Sequence, residues 1–122
     1  MDLAGAPRVV AMSTRVIPVL PTTDAAAAIE WYRRYGFDVA FEHRFEPHLP
    51  AYVGLKRDDA EVHLSEHVGD IVTPGLVYVW VDAIEPLAAL STATIDEMPW
   101  ARDFEVADLD GNRLRFAEPL EP

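Results

Sequence analysis

Apolar positions along this chain follow two rhythms, a helical one near the start and a strand-like one through most of the rest. Val16 to Leu20 is a short apolar run interrupted by Pro18. Pro21-Thr22-Thr23-Asp24 then supplies helix-start chemistry, since Thr23 or Asp24 can cap free backbone amides. From Ala25 to Tyr35, the residues Ala25, Ala28, Ile29, Tyr32 and Tyr35 share one helical face, and Gly36 ends the helix. Phe37, Val39, Phe41, His43 and Phe45 alternate with Asp38, Ala40, Glu42 and Arg44, which predicts a strand with one mostly apolar face. His48-Leu49-Pro50 breaks it. Ala51, Val53 and Leu55, then Val62 and Leu64, are the inward sets of two further strands around the turn Arg57-Asp58-Asp59.

Residues 67–74 resemble a linker, after which the order repeats in shorter form. Leu76 to Val81 is apolar on both faces and predicts the central strand of a second half, followed by a short helix from about Ile84 to Ser91. Thr92 to Met98 leaves little room for an extra strand. Pro99-Trp100-Ala101-Arg102-Asp103-Phe104 and Arg113-Leu114-Arg115-Phe116 then form a hairpin around Asp110-Gly111-Asn112, where glycine supplies the positive φ of a tight turn. Both halves place an Asp, Asp24 or Asp82, between first strand and helix. The expected fold is α+β, a structural duplication within one domain at 15–122, with modules at about 15–70 and 71–120 and a loose N-terminal arm over 1–14.

A chain of 122 residues can bury a core without disulfides or a structural metal. It has no cysteine, which removes thiol chemistry and fits a reducing cytoplasm. No apolar run reaches membrane-span length, and the patch Val9-Val10-Ala11-Met12 is too weak for a signal peptide. The formal charge of −11 disfavours nucleic acid and anionic membrane as partners. It would attract a cationic ligand, or simply keep the protein soluble.

Little here supports covalent catalysis. Ser13, Ser65 and Ser91 lack a nucleophile-elbow context, and no glycine loop cradles phosphate. His43, His48 and His67 are scattered over a strand, a loop and the linker. Trp100, after Met98-Pro99, is either a lid on the core or an exposed stacking platform. Val77, Val79 and Val81 form the better core set, so Tyr78 and Trp80 line a groove, while Trp31 and Tyr32 belong to the core. His63 and Ser65 point away from Val62 and Leu64, as Arg115 does from Leu114 and Phe116. They face either a groove or solvent.

Val16-Ile17-Pro18-Val19-Leu20, Trp31-Tyr32 with Gly36-Phe37, Arg57-Asp58-Asp59 leading to His63-Leu64-Ser65, Val77-Tyr78-Val79-Trp80-Val81, Pro99-Trp100 and Asp110-Gly111-Asn112 resemble, in order and spacing, the vicinal-oxygen-chelate superfamily. This is the glyoxalase, bleomycin-resistance and dioxygenase group, and the likeness is strongest to bleomycin-resistance proteins. It implies paired βαβββ modules with curved mixed sheets. It also implies a homodimer exchanging its first strand around Pro18, with grooves at the interface. Trp100 and Phe45 from opposite subunits would sandwich a planar ligand, with His63, Ser65, Tyr78, Trp80 and Arg115 around it. The superfamily's metal-ligand positions correspond to Ile17, His63, a residue near Leu76 and Arg115. Three of these cannot ligate, and Arg115 is a fixed cation, so neither a metal nor another cofactor is expected. The resemblance thus implies non-catalytic sequestration of a bleomycin-type antibiotic. The alternatives are a lyase, isomerase or dioxygenase with an atypical site around His63 and Glu118 or Glu66, and a silent module for another metabolite or a partner protein.

Overall fold

In the computed structural model, residues 14–67, 69 and 73–120 are described. The expected arm up to residue 13, Ser13 included, and part of the 67–74 linker lie outside them. Helix α1 spans Ala25–Arg34, close to expectation. Its first turn is satisfied twice, by Asp24 Oδ1 accepting from the Ala27 amide at 3.1 Å and Glu66 Oε2 accepting from the Ala25 amide at 2.7 Å. Gly36, at φ +91°, turns the chain out of the helix. Around α1 lie β1 (Val19–Pro21), β2 (Asp38–His43), β3 (Tyr52–Arg57) and β4 (Ala60–Ser65). The second half supplies β5 (Leu76–Trp80), α2 (Glu85–Ala88), β6 (Asp96–Glu97), β7 (Ala101–Ala107) and β8 (Arg113–Pro119). None of the described helices is long and apolar enough to cross a membrane.

Two mixed sheets result, ordered β1-β4-β3-β2 and β5-β8-β7-β6, so the α+β duplication holds. β1 lies parallel to β4 of its own chain and β5 parallel to β8, while the other pairs are antiparallel. Three expectations need correction. β5 is an edge strand, because β8 takes the central place. A strand does fit before Pro99, although β6 has only two residues. The alternation expected from Phe37 to Phe45 breaks at Ala40, where Val39 pairs with Leu55 but Phe41 pairs with Gly54. That one-residue bulge turns Phe41 and His43 to the outer face. Gly54 makes room, since a Cβ there would stand 2.2 Å from the Phe41 ring.

A single core joins the halves. Tyr35 of α1 stacks on Phe116 of β8 at 5.5 Å between centroids, and Phe104 stacks on Phe116 at 5.5 Å. The β7–β8 turn closes against the start of α1. Asn112, 0% exposed, gives Nδ2 to the Pro21 carbonyl at 2.9 Å and to Asp108 Oδ2 at 2.8 Å, while its Oδ1 accepts from the Gly75 amide at 3.1 Å. Asp108 also accepts from Tyr32 Oη at 2.7 Å, and Asp110 accepts from the hydroxyls of Thr22 and Thr23 at 2.8 Å each. Burial, with Asp108 beside it, pushes the Tyr32 phenol pKa far up.

Candidate functional site

Residues paired across strands share a face, so the register sorts each sheet into a side against the core and an outer side. On the second sheet Val79, Leu114, Phe116, Phe104 and Val106 are buried in the core. The outer side therefore carries Tyr78 and Trp80 from β5, Arg113 and Arg115 from β8, and Asp103 and Glu105 from β7. Trp80 and Trp100 are each 55% exposed, and the Tyr78 and Trp80 rings meet edge to face at 5.3 Å. Trp100 Nε1 donates to Tyr78 Oη at 3.1 Å, and Tyr78 Oη donates to Asp103 Oδ2 at 3.5 Å. Three rings thus form one partly exposed cluster, and Trp100 belongs to it rather than to the core. Glu105 accepts from Arg115 at 2.6 Å and from Arg113 at 3.2 Å. Its carboxyl is held below the usual range, chiefly by Arg115.

The outer side of the first sheet carries a polar relay instead. His63 Nδ1 is 2.8 Å from Tyr52 Oη and its Nε2 is 2.8 Å from Glu61 Oε2, while Arg15 pairs with Glu61. With a neutral imidazole, the phenol donates to Nδ1 and Nε2–H donates to Glu61. His63 is the chief cause of a lowered Glu61 pKa. Phe41 lies edge-on to the His63 ring at 5.2 Å.

The structure brings Tyr78, Trp80, Trp100 and Arg115 onto one face and puts His63 and Ser65 on the other sheet. Ser65 is buried, its Oγ accepting from the His67 amide at 3.1 Å. Phe45 lies beyond the end of β2, exposed, with its ring edge-to-face on His43 at 4.7 Å. Phe45 and Trp100 therefore belong to different sheets.

The ligand positions shift by register. The β1 residue paired with His63 is Val19, not Ile17, and the β5 residue paired with Arg115 is Tyr78, not a neighbour of Leu76. An alkyl group and a phenol there leave the metal-ligand pattern unfilled. The carboxylates named with His63 for an atypical site are bonded elsewhere. Glu66 accepts from the Ala25 amide and, at 2.8 Å, from the Ala51 amide. Glu118 faces α2, accepting from the Ile84 amide at 3.0 Å and from Arg102 at 3.1 Å. Among the described residues, no group of three or more His, Asp or Glu is arranged to hold a metal ion.

Sequence reasoning missed Asp103, Glu105, Tyr52, Glu61 and Phe41. Alternation alone places the first four on outer faces once the core set is known. Phe41 needed the bulge, which depends on Gly54 across the strand pair.

Residues 8–121 match the family model described as glyoxalase superfamily protein. Among solved structures, TioX from Micromonospora sp. ML1 superposes with a TM-score of 0.71 at 22% identity, over 88% of this chain and 100% of that one. TnmS3, an antibiotic binding protein from Streptomyces sp. CB03234, gives 0.71 at 20% identity, over 91% and 99%. A bleomycin-binding protein complexed with bleomycin gives 0.64 at 17% identity, over 88% and 100%. At such identities the likeness is one of fold. No curated protein matches the chain.

Proposed function

The chain belongs to the glyoxalase superfamily, and from that premise we propose that it is a non-catalytic binder that sequesters a flat, cationic small molecule of the bleomycin type. The observation that carries this is the exposed Tyr78–Trp80–Trp100 cluster beside the carboxylates of Asp103 and Glu105. Aromatic faces stack on planar rings and attract cations, and the formal charge of −11 adds a favourable long-range field. Similarity of fold to an antibiotic binding protein and to a bleomycin-binding protein supports the same ligand class. Sequestration needs no chemistry, because a tight complex lowers free drug by mass action.

The working unit is a cytoplasmic homodimer whose first strand is exchanged around Pro18, so that the β1–β4 pairing made here within one chain forms between copies. In it Trp100 of one copy and Phe45 of the other clamp the planar group. Tyr78 and Trp80 line the groove, and His63, Ser65 and Arg115 offer hydrogen bonds to the rest of the ligand. Phe41, Leu76, Tyr78 and Trp80 are large apolar residues left exposed on a single chain, as expected of a face that a second copy covers. Sedimentation should give a dimer at micromolar concentration; a stable monomer would remove the interface grooves. Titration with metal-free bleomycin should quench tryptophan fluorescence saturably and more weakly as salt rises. No quenching at high micromolar drug would end the bleomycin assignment.

A further inference from the structure

We propose that Asp103 is the charge anchor of this site, and that the ligand it selects carries a protonated N–H donor, an amine or amidinium, on its planar ring. This rests on the outer face of β5–β8 being a binding surface, and adds to it a specificity-determining residue and a chemical class. Asp103 is only 4% exposed, on the side of β7 turned away from the core. A carboxylate that deep ordinarily receives several strong hydrogen bonds. Asp108, at 7% exposure, does: Tyr32 Oη, Asn112 Nδ2 and the amides of Asp110 and Asn112 all donate to it within 2.9 Å. Asp103 receives, among the described residues, one bond stretched to 3.5 Å.

Its surroundings add repulsion. Asp96 stands directly opposite in the β6–β7 register, and like charges in that relation are unfavourable. Arg115 feels the Asp103 charge, yet its guanidinium is bonded to Glu105 at 2.6 Å. As a contribution to folding, then, an ionised Asp103 is a poor choice. As a contribution to binding, it is well placed. It ends a relay in which Trp100 Nε1–H donates to Tyr78 Oη and Tyr78 O–H donates to the carboxylate, under rings that are themselves partly exposed. A ligand N–H⁺ that displaces the loosely held phenol forms a charge-assisted bond to Asp103 while its ring stacks on Trp80 or Trp100. A flat cation without an N–H gains the stacking and the general field, but not this bond.

The test uses the full chain at pH 7.5 with three planar probes followed by tryptophan quenching: 9-aminoacridine, a cation with N–H donors; N-methylacridinium, a cation without them; and neutral acridine. The unaltered protein should prefer 9-aminoacridine over both others by about tenfold or more. Asp103→Asn should bring 9-aminoacridine within about twofold of N-methylacridinium and leave acridine affinity unchanged. Asp96→Asn, which keeps the anchor, should preserve the preference. The melting temperature of Asp103→Asn should equal or exceed that of the unaltered protein, whereas a purely structural Asp103 requires a fall; Asp103→Ser serves as the second variant if the amide misfolds. A preference retained in either Asp103 variant overturns the anchor, as does a fall in melting temperature with loss of all three probes. Binding without preference in the unaltered protein overturns the anchor and leaves the surface standing. If no probe binds, surface and anchor fall together.

Discussion

The backbone frames of the two sheets superimpose in logic. The amide just past β1, Thr22, donates to Ser65 of β4, and the amide just past β5, Val81, donates to Ala117 of β8. That equivalence sets His63 against Arg115, Glu61 against Arg113, Val19 against Tyr78, Pro21 against Trp80, and Tyr52 against Asp103. On the first sheet these outer positions close on themselves as the Tyr52–His63–Glu61 relay with Phe41 laid over Gly54. On the second, the edge strand contributes two aromatic rings, the neighbouring cation is spent on Glu105, and a carboxylate is left short of donors. One frame therefore carries a satisfied surface in one half and an unsatisfied one in the other, and unsatisfied polar groups beside exposed rings are what a ligand completes.

Breaking the turns should separate the halves most. Asn112→Ala strips buried bonds to Pro21, Asp108 and Gly75 and should cost roughly 2–4 kcal/mol in urea unfolding. In the matching β3–β4 turn, Asp58 already sits at φ 51°. Asp58→Gly should therefore change stability by less than about 0.5 kcal/mol, or raise it slightly. Equal costs at both turns would dissolve the contrast. Next come the rings. Trp80→Ala and Trp100→Ala should each weaken planar-ligand binding roughly tenfold, on the order of 1–3 kcal/mol, with the fold intact. Phe45→Ala should do the same through the proposed clamp, whereas Phe41→Ala, which removes no stacking platform, should cost under about twofold. Equal losses at Phe41 and Trp80 would erase the contrast between the two outer faces.

The smallest effects concern protons. The folded pKa values of Glu61 and Glu105 lie below the usual one, so their ion pairs stabilise the fold at neutral pH and lose that effect as acid protonates them, at pH values below about 4. The Tyr32 phenol is raised instead. Its contribution is complete below about pH 10 and is lost as pH climbs above that, when the unfolded chain ionises and the folded one resists. Melting temperatures should accordingly fall at both ends of the pH range. Arg115→Met should return the Glu105 carboxyl toward its ordinary pKa by NMR titration and leave Glu61 where it is.

The elements governed by neighbours in sequence were readable. Helix α1 has its apolar face and Asp24 cap, and both tight turns have the Asp or Gly they require. What escaped was decided across the sheet. The bulge at Ala40 is permitted by Gly54, which lies in another strand, and the edge position of β5 follows from β8 pairing with it in parallel. The ring cluster was half legible, since alternation put Tyr78 and Trp80 outward. Nothing local reveals that Trp100 bonds Tyr78, or that Asp103 lacks the donors that surround Asp108.

The lock between the β7–β8 turn and the start of α1 also constrains the order of events during synthesis. Asn112 bonds the Pro21 carbonyl across 91 residues, and Tyr32 bonds Asp108 across 76. Helix α1 leaves the ribosome well ahead of the partners for its buried phenol and for the chain at Pro21, which follow 76 and 91 residues later. At about 5–20 residues per second, the nascent first half waits several seconds with Tyr32 and Tyr35 lacking their partners Asp108 and Phe116. That interval of exposed aromatic surface is when chaperones or a second nascent copy can engage the chain, and it closes only once the β7–β8 hairpin has emerged.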